Sequence, residues 1–454
     1  MIKTYVLDTN VLMSTEGRVL FGFEDNNVII THTTLEELDK FKMASGERGY
    51  QAREAIRTIK SITDSAQEGE SITTGIRLPN TGVFRVNNNF NLTAKLPEGW
   101  DLKSPDNCIL STCKSLSGNA VGKGNTILIT NDISMTLKAQ IIGVPVQGYK
   151  NDNISSLDSM YTGRGEVLAS MDCINELYRN GSMPLPASEK YIPRKYYHVH
   201  DMGSHSALCY VDDYNLKLIK TRKQRDVYGI SPKNLGQEFA MHALMAPASE
   251  IPLVILKGPA GSGKTLLSLA AGLDKTYHWD SKDRVYNSMV ITRSNTLSDE
   301  DLGFLPGSLE DKMTPLLSPF MDNLRYLLGK DMEDRSQVNM QMEDIIESGI
   351  IEITSLAYIR GRSLANTYLI VDETQNTTRT QISTIVTRMG EGSKLVILGD
   401  PNQIDNPKLD RQNNGLVYLS EKFKDSPLCA EVTFEESESV RSALAKEAIV
   451  RLNL

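Results

Sequence analysis

The sequence predicts an α/β protein: two parallel-sheet units with a small, mostly-β segment between them. Three observations carry this. Toward both ends of the chain, apolar runs of strand length alternate with helix-length stretches, the pattern of parallel strands covered on both faces by helices. Between 150 and 228 the pattern changes to short polar and apolar alternations broken by Gly, Asn and Asp, as in a small antiparallel module or an elaborate linker. In the second half, the apolar run Leu253 to Lys257 enters a glycine-rich loop and then a helical run.

The bulk properties narrow the class. The 454 residues leave room for roughly three domains of about 150 residues each. A hydrophobic content of 40% and a charged content of 23% are those of a globular chain with full cores. No stretch approaches about 18 uncharged apolar residues, so no membrane span is expected. Met1-Ile2-Lys3 runs straight into an apolar strand ending at Asp8, so no secretory leader is expected either. The cysteines at 108, 113, 173, 209 and 429 are odd in number and lack a second pair at zinc-site spacing. That predicts reduced core thiols in a cytoplasmic protein. A net charge of −8 excludes a protein that coats nucleic acid by charge alone, while allowing a local basic groove. No internal repeat is present, and the acidic runs 298–301 and 435–438 read as solvated loops.

In residues 1–149, Tyr5-Val6-Leu7, Val28-Ile29-Ile30 and Thr126 to Ile129 read as buried strands, and Leu35 to Lys42 and Gln51 to Ile62 as helices. Acidic residues stand where strands end and helices begin: Asp8 in Asp8-Thr9-Asn10, Glu36 and Glu37, Asp106 before Asn107, and Asp132 after Asn131. In a parallel sheet these positions converge on one edge. Carboxylates gathered there repel one another unless divalent cations neutralise them, and bound Mg²⁺ or Mn²⁺ would activate water against a phosphodiester. Each acid alone reads sooner as a helix cap or a solvated side chain, Asp106 and Asp132 as N-caps above all; the pattern tells more than any member. Arg53 is either a phosphate contact or half of an intrahelical ion pair.

In the middle segment, Tyr191, Arg194, Lys195, Tyr196 and Tyr197 interleave aromatics with cations, and Lys217, Lys220, Arg222, Lys223 and Arg225 follow. Such a pattern can stack on unpaired bases and hold phosphates. The other reading is strand aromatics in a core with cations on the outer face.

The second half begins at Gly229. Its strands are expected at 253–257, 289–292, 367–371 and 394–398. Gly258-Pro259-Ala260-Gly261-Ser262-Gly263-Lys264-Thr265 is G-x-x-x-x-G-K-T between a strand and a helix, where backbone N–H groups and the helix N-terminus receive phosphates. Lys264 would reach the β- and γ-phosphates and Thr265 would hold Mg²⁺. Tyr368 to Glu373 is an apolar strand ending in two carboxylates; Asp372 suits the outer shell of Mg²⁺ and Glu373 the group orienting the attacking water. Val396 to Gly399 ends in Asp400-Pro401-Asn402-Gln403, where Gln403 could sense the γ-phosphate. A catalytic arginine is expected as well, with Arg388 and Arg441 as candidates, from the same chain or a neighbour. About 190 residues follow the single P-loop, enough for one RecA-like core.

From Gly229 to the end the chain resembles the PhoH family of ATPases. The resemblance lies in Gly229-Ile230-Ser231-Pro232-Lys233-Asn234 with Gln237, in Gly303-Phe304-Leu305-Pro306-Gly307, in Ile359-Arg360-Gly361-Arg362 and in the P-loop. It implies an adenine contact by Gln237. Thr292-Arg293-Ser294-Asn295-Thr296 departs from the proline-bearing loop usual in that family. Residues 1–149 resemble a PIN domain through Asp8-Thr9-Asn10-Val11-Leu12, Leu35-Glu36-Glu37-Leu38, Asp106-Asn107 and Thr130-Asn131-Asp132. By that match Asp8, Glu37, Asp106 and Asp132 are metal-site residues. Together the resemblances imply an ATP-dependent RNA helicase or translocase coupled to a Mg²⁺- or Mn²⁺-dependent endoribonuclease. Single-stranded RNA would be its partner, and the particle would be a hexameric ring that brings an arginine to a neighbour's phosphate. Two other classes fit parts of the pattern. One is a nucleotide-dependent regulatory switch whose PIN-like part binds RNA without cutting it; the other is a metabolic kinase, against which Asp372, Glu373 and Gln403 argue.

Overall fold

A computed structural model describes the chain except residues 1, 45–46, 88–93, 95, 102–103, 119–124, 150–159, 221–225, 278–283, 295–308, 332–333, 360, 407–408, 412, 441–446, 448–450 and 452–454. It divides into two compact units, Met1–Ser155 and Ser156–Leu454.

The first unit is built on β1 (Thr4–Leu7), β2 (Asn27–Thr31), β3 (Ile76–Arg77), β4 (Val83–Asn87), β5 (Thr126–Ile129) and β6 (Val146–Gln147). Their order is β3-β4-β2-β1-β5-β6, parallel except for the β3–β4 pair. The central strands are apolar at nearly every position because both faces are covered. Alternate residues serve the two faces. Leu7, Val28 and Ile30 meet Leu12, Leu38, Ala55 and Ile59 from α1 (Thr9–Ser14), α2 (His32–Phe41) and α3 (Glu47–Asp64). Val6, Ile29 and Leu128 meet Ile109, Cys113, Met135 and Ala139 from α4 (Pro105–Gly118) and α5 (Ile133–Ile141). Every strand that carries an expected acid therefore ends on one edge of the sheet.

The second unit opens with a five-stranded sheet, ordered β7 (Arg164–Leu168), β9 (Tyr196–His200), β10 (Ser206–Asp212), β11 (Asn215–Leu218) and β8 (Ser182–Pro184). Only the β7–β9 pair is parallel. One face packs on α6 (Met171–Asn180) through Ile174 and Leu177. From the other face, Tyr196 enters the core of the large sheet, stacking on Phe239 at 5.0 Å and sharing a hydrogen bond with His242. Tyr197 is equally buried and donates to Glu189 at 2.6 Å. These two tyrosines are core groups rather than free platforms for bases. Around them, Arg194 pairs with Asp212, and Lys195 lies over the Tyr197 ring beside Glu189. Arg222, Lys223 and Arg225 lie outside the described residues.

The large sheet runs β14 (Ile351–Ser355), β13 (Ser288–Arg293), β15 (Thr367–Asp372), β16 (Lys394–Gly399), β12 (Leu253–Lys257) and β17 (Cys429–Thr433), all parallel. Two of these strands were not expected. In β17 the apolar run is interrupted by Glu431, which faces Lys257 at 2.6 Å in a buried ion pair. The Lys257 ammonium also donates to the carbonyl of Tyr161 and to Ser420. Gly163 crosses so closely over this strand that a Cβ would lie 1.8 Å from the Glu431 carbonyl oxygen. The small sheet is thus fastened to the large one. In the run 435–438, Glu435, Glu436 and Ser437 are exposed as expected, but Glu438 is buried and pairs with Arg164 of β7 at 2.7 Å. The run 298–301 lies outside the described residues.

Candidate functional site

At the C-terminal ends of β12, β15 and β16 lies a cleft of about 670 Å³, lined by Gln237, Lys264, Thr265, Asp372, Glu373, Asp400 and Gln403 among others. The loop Gly258 to Gly263 joins β12 to α8 (Lys264–Thr276), with positive φ at Gly258, Gly261 and Gly263. At Gly258 a Cβ would also meet Phe434 at 2.8 Å, so only glycine lets the strand turn there. The Lys264 ammonium sits inside the loop, donating to the carbonyls of Gly258 at 2.6 Å and Pro259 at 2.9 Å. Thr265 donates to Asp372 Oδ2 at 3.3 Å. Burial, and then the charge of Glu373, push the Asp372 carboxyl above its ordinary range. Hydroxyl and carboxylate oxygens set this close are hard donors that fit Mg²⁺, and the raised carboxyl marks a place where a cation would be welcome.

Around them the strand ends interlock. Glu373 has φ +53°, a left-handed conformation that non-glycine residues seldom adopt. Its Oε1 accepts from Arg293 Nη2 at 2.9 Å and its Oε2 from Gln375 Nε2 at 2.6 Å. Gln375 also donates to the Gln403 carbonyl at 2.9 Å and accepts from the Asp400 N–H at 3.1 Å. Sequence reasoning missed Gln375 and Arg293 as site residues. Both stood beside motifs that were read, but no spacing rule distinguishes them. Gln237 lines the cleft, donates to the Ser262 carbonyl and accepts from the Lys233 N–H. It ties the Gly229–Asn234 lead-in to the P-loop. α7 (Leu235–Met245) carries it, and in its first turn the Gly236 N–H donates to the buried Glu438. On the far wall of the cleft are Tyr326 and Lys330, also missed.

Arg388 is exposed and lies just before β16 begins. That is the edge of the sheet opposite the P-loop, so the chain does not bring Arg388 to its own cleft. Arg441 lies outside the described residues.

In the first unit the acids are placed differently. Asp8, only 2% exposed, accepts from Thr130 Oγ1 at 2.7 Å. Burial, followed in smaller measure by the charges of Asp106 and Glu37, raises its carboxyl to about 6. Glu37 accepts from Thr9 Oγ1 at 2.6 Å, and Asp106 faces Lys138 at 3.7 Å. Asp132 caps α5, accepting from the Met135 N–H at 3.0 Å. Glu36 stands beside His32 at 3.5 Å, and Arg53 donates to the Lys42 carbonyl rather than to an intrahelical acid. Among the described residues no three His, Cys, Asp or Glu side chains gather closely enough to hold one metal ion. The expected four-acid cluster is therefore not assembled, because two of its members are engaged by a cap and a lysine. The donor chemistry still fits a divalent ion: the oxygens are hard, Asp8 is a buried acid among like charges, and the buried Asn107 Oδ1 next to Asp106 has no hydrogen-bond partner.

Comparison with known proteins adds the following. Residues 229–452 match the family model described as PhoH-like protein, and residues 5–150 match that of the PIN domain. The chain is 35% identical to Protein PhoH2 of Bacillus subtilis (strain 168), over 99% of each chain. It is 29% identical to Protein PhoH2 of Mycolicibacterium smegmatis, over 100% of this chain and 98% of that one. Protein PhoH of Escherichia coli (strain K12) is 35% identical over 50% of this chain and 59% of its own.

Proposed function

The chain belongs to the PhoH2 family, with an N-terminal PIN domain and a C-terminal PhoH domain, and on that premise we propose that it is an ATP-driven RNA helicase or translocase joined to a divalent-metal-dependent endoribonuclease. The observation that carries the motor half is the interlocked cleft, in which Lys264, Thr265, Asp372, Glu373, Gln375 and Gln403 meet at three strand ends. The loop N–H groups and Lys264 bind the ATP phosphates. We assign Gln237 to reading the base, Glu373 to orienting the attacking water and Gln403 to sensing the γ-phosphate. Thr265 and Asp372 would hold Mg²⁺, which when bound would supply charge neutralisation at the phosphates.

For the nuclease half the support is the PIN match and the strained acid Asp8. Asp8, Glu37, Asp106 and Asp132 are the residues we assign to Mg²⁺ or Mn²⁺, which would activate water against the RNA phosphodiester. Among the described residues no helix is long and apolar enough to cross a membrane. No disulfide joins the five cysteines, and that supports our proposal that the protein works in the cytoplasm. Arg388, remote from its own cleft, supports supply in trans within a hexameric ring. Mixing a Lys264→Ala protein with an Arg388→Ala protein should then restore part of the ATPase, whereas a fully active monomer would exclude the ring. A second reading, a regulatory switch that binds RNA without cutting it, is favoured by one observation: the four acids are not gathered. Cleavage of labelled single-stranded RNA separates the two. Mn²⁺-dependent cutting that Asp8→Asn abolishes supports the nuclease, and intact RNA under all conditions supports the switch.

A further inference from the structure

We propose that Arg293 is a positioning residue for ATP hydrolysis, holding the Glu373 carboxylate toward the attacking water from outside the nucleotide cleft. The inference rests on the reading of Glu373 as the group that orients that water. β13 ends at Arg293, in register with Asp372 of the neighbouring β15. The next residue, Ser294, donates its N–H to the Asp372 carbonyl at 3.0 Å. The end of β13 is therefore fixed to the strand that delivers Glu373. Glu373 lines the cleft and Arg293 does not. Glu373 is also held at φ +53°, a strained backbone state that persists only where its surroundings impose it. A carboxylate on such a turn keeps one direction only if it is anchored. Here the anchors are two, one at the end of β13 and one in the short turn Thr374–Asn376 that follows β15. Arg293 Nη2 reaches Oε1 at 2.9 Å from β13, and Gln375 Nε2 reaches Oε2 at 2.6 Å, itself tied to the end of β16 by the Asp400 N–H. Each carboxylate oxygen retains a further acceptor site, so the grip orients Glu373 without closing it to water.

The plain alternative is a partly exposed ion pair, both side chains being 28% accessible, of a kind that contributes little to stability. A kinetic cycle distinguishes them. Arg293→Ala, Glu373→Gln, the double variant and Arg293→Lys are compared in the full chain for kcat, KM and affinity for a non-hydrolysable ATP analogue. Misplacing the oriented group should lower kcat by about 10- to 100-fold, with KM and analogue affinity held within about twofold. Arg293→Lys should recover part of the loss. In the Glu373→Gln background, Arg293→Ala should cost less than about twofold more, since the group it acts through is gone. A full further loss in that background would overturn the inference, as would a raised KM at unchanged kcat, or parental values throughout. If Glu373→Gln alone hydrolyses ATP at the parental rate, the reading of Glu373 itself has failed, and the inference falls with it.

Discussion

Two acidic sites in this protein stand at the same place in two parallel sheets, the C-terminal strand edge, and are built in opposite ways. In the PhoH domain the carboxylates of Asp372 and Glu373 already have Thr265, Arg293 and Gln375 around them. In the PIN domain Asp106 faces a lysine and Asp132 caps a helix, while Asp8 lies buried with a raised carboxyl. The difference follows from what each neighbourhood supplies. A glycine loop, a lysine and amide side chains give the first site fixed positive and hydrogen-bonding partners. The second offers chiefly carboxylates, which part from one another until a cation draws them together. One site is preorganised; the other, on the function proposed, would be assembled by its ion.

The largest expected effect tests the preorganised site. Lys264→Ala should lower both nucleotide affinity and hydrolysis, and Glu373→Gln should keep ATP bound while turnover falls by about 10²-fold or more. Steady-state ATPase rates and nucleotide binding measure both. Next comes the ion-assembled site. Asp8→Asn should abolish RNA cleavage and leave ATPase at the parental rate, and EDTA should do the same to cleavage in the parental protein. Asp132→Asn sharpens the contrast, because asparagine caps a helix as well as aspartate does. We expect folding unchanged within about 0.5 kcal/mol but cleavage reduced roughly 10-fold; parental cleavage would make Asp132 a cap and nothing more.

The smallest effect is on stability. The Asp8 carboxyl, near 6 when folded against an ordinary 3.8, takes up a proton more readily in the native state than in the unfolded one. Native stability should therefore rise as pH falls from about 6 toward 4 in EDTA. At pH 7 the same charge costs the native state on the order of 1–3 kcal/mol. Asp8→Asn should consequently raise the melting temperature of the metal-free protein at pH 7 by several degrees, and that gain should shrink on acidification. A melting temperature lowered by Asp8→Asn would contradict the burial account.

Most of the frame was legible in the sequence. The strands β1, β2, β5, β12, β13, β15 and β16 follow from uninterrupted apolar runs, and the P-loop from its spacing. β17 was hidden because Glu431 breaks its pattern, and only the burial of Lys257 opposite explains why a carboxylate is tolerated there. Glu438 was misread for a related reason: its partner, Arg164, lies 274 positions away in sequence. Local composition says solvent where a distant arginine says core. The roles of Gln375 and Arg293 were out of reach similarly, since hydrogen bonds between strand ends depend on strand order, which no local pattern encodes. For the four PIN-domain acids the motifs gave the residues but not their present engagements: Thr9 and Thr130 stand inside the motifs with nothing to mark which acid each would bond, and Lys138 lies outside them.

The central claim, an ATP-driven and RNA-stimulated motor attached to a separable nuclease, meets its most direct test in one measurement. Phosphate release from ATP by the full chain is followed with and without single-stranded RNA, using Asp8→Asn protein so that the RNA survives. The account expects several-fold stimulation by RNA that disappears in a Lys264→Ala, Asp8→Asn double variant. An ATPase rate indifferent to RNA at saturating concentration would contradict it.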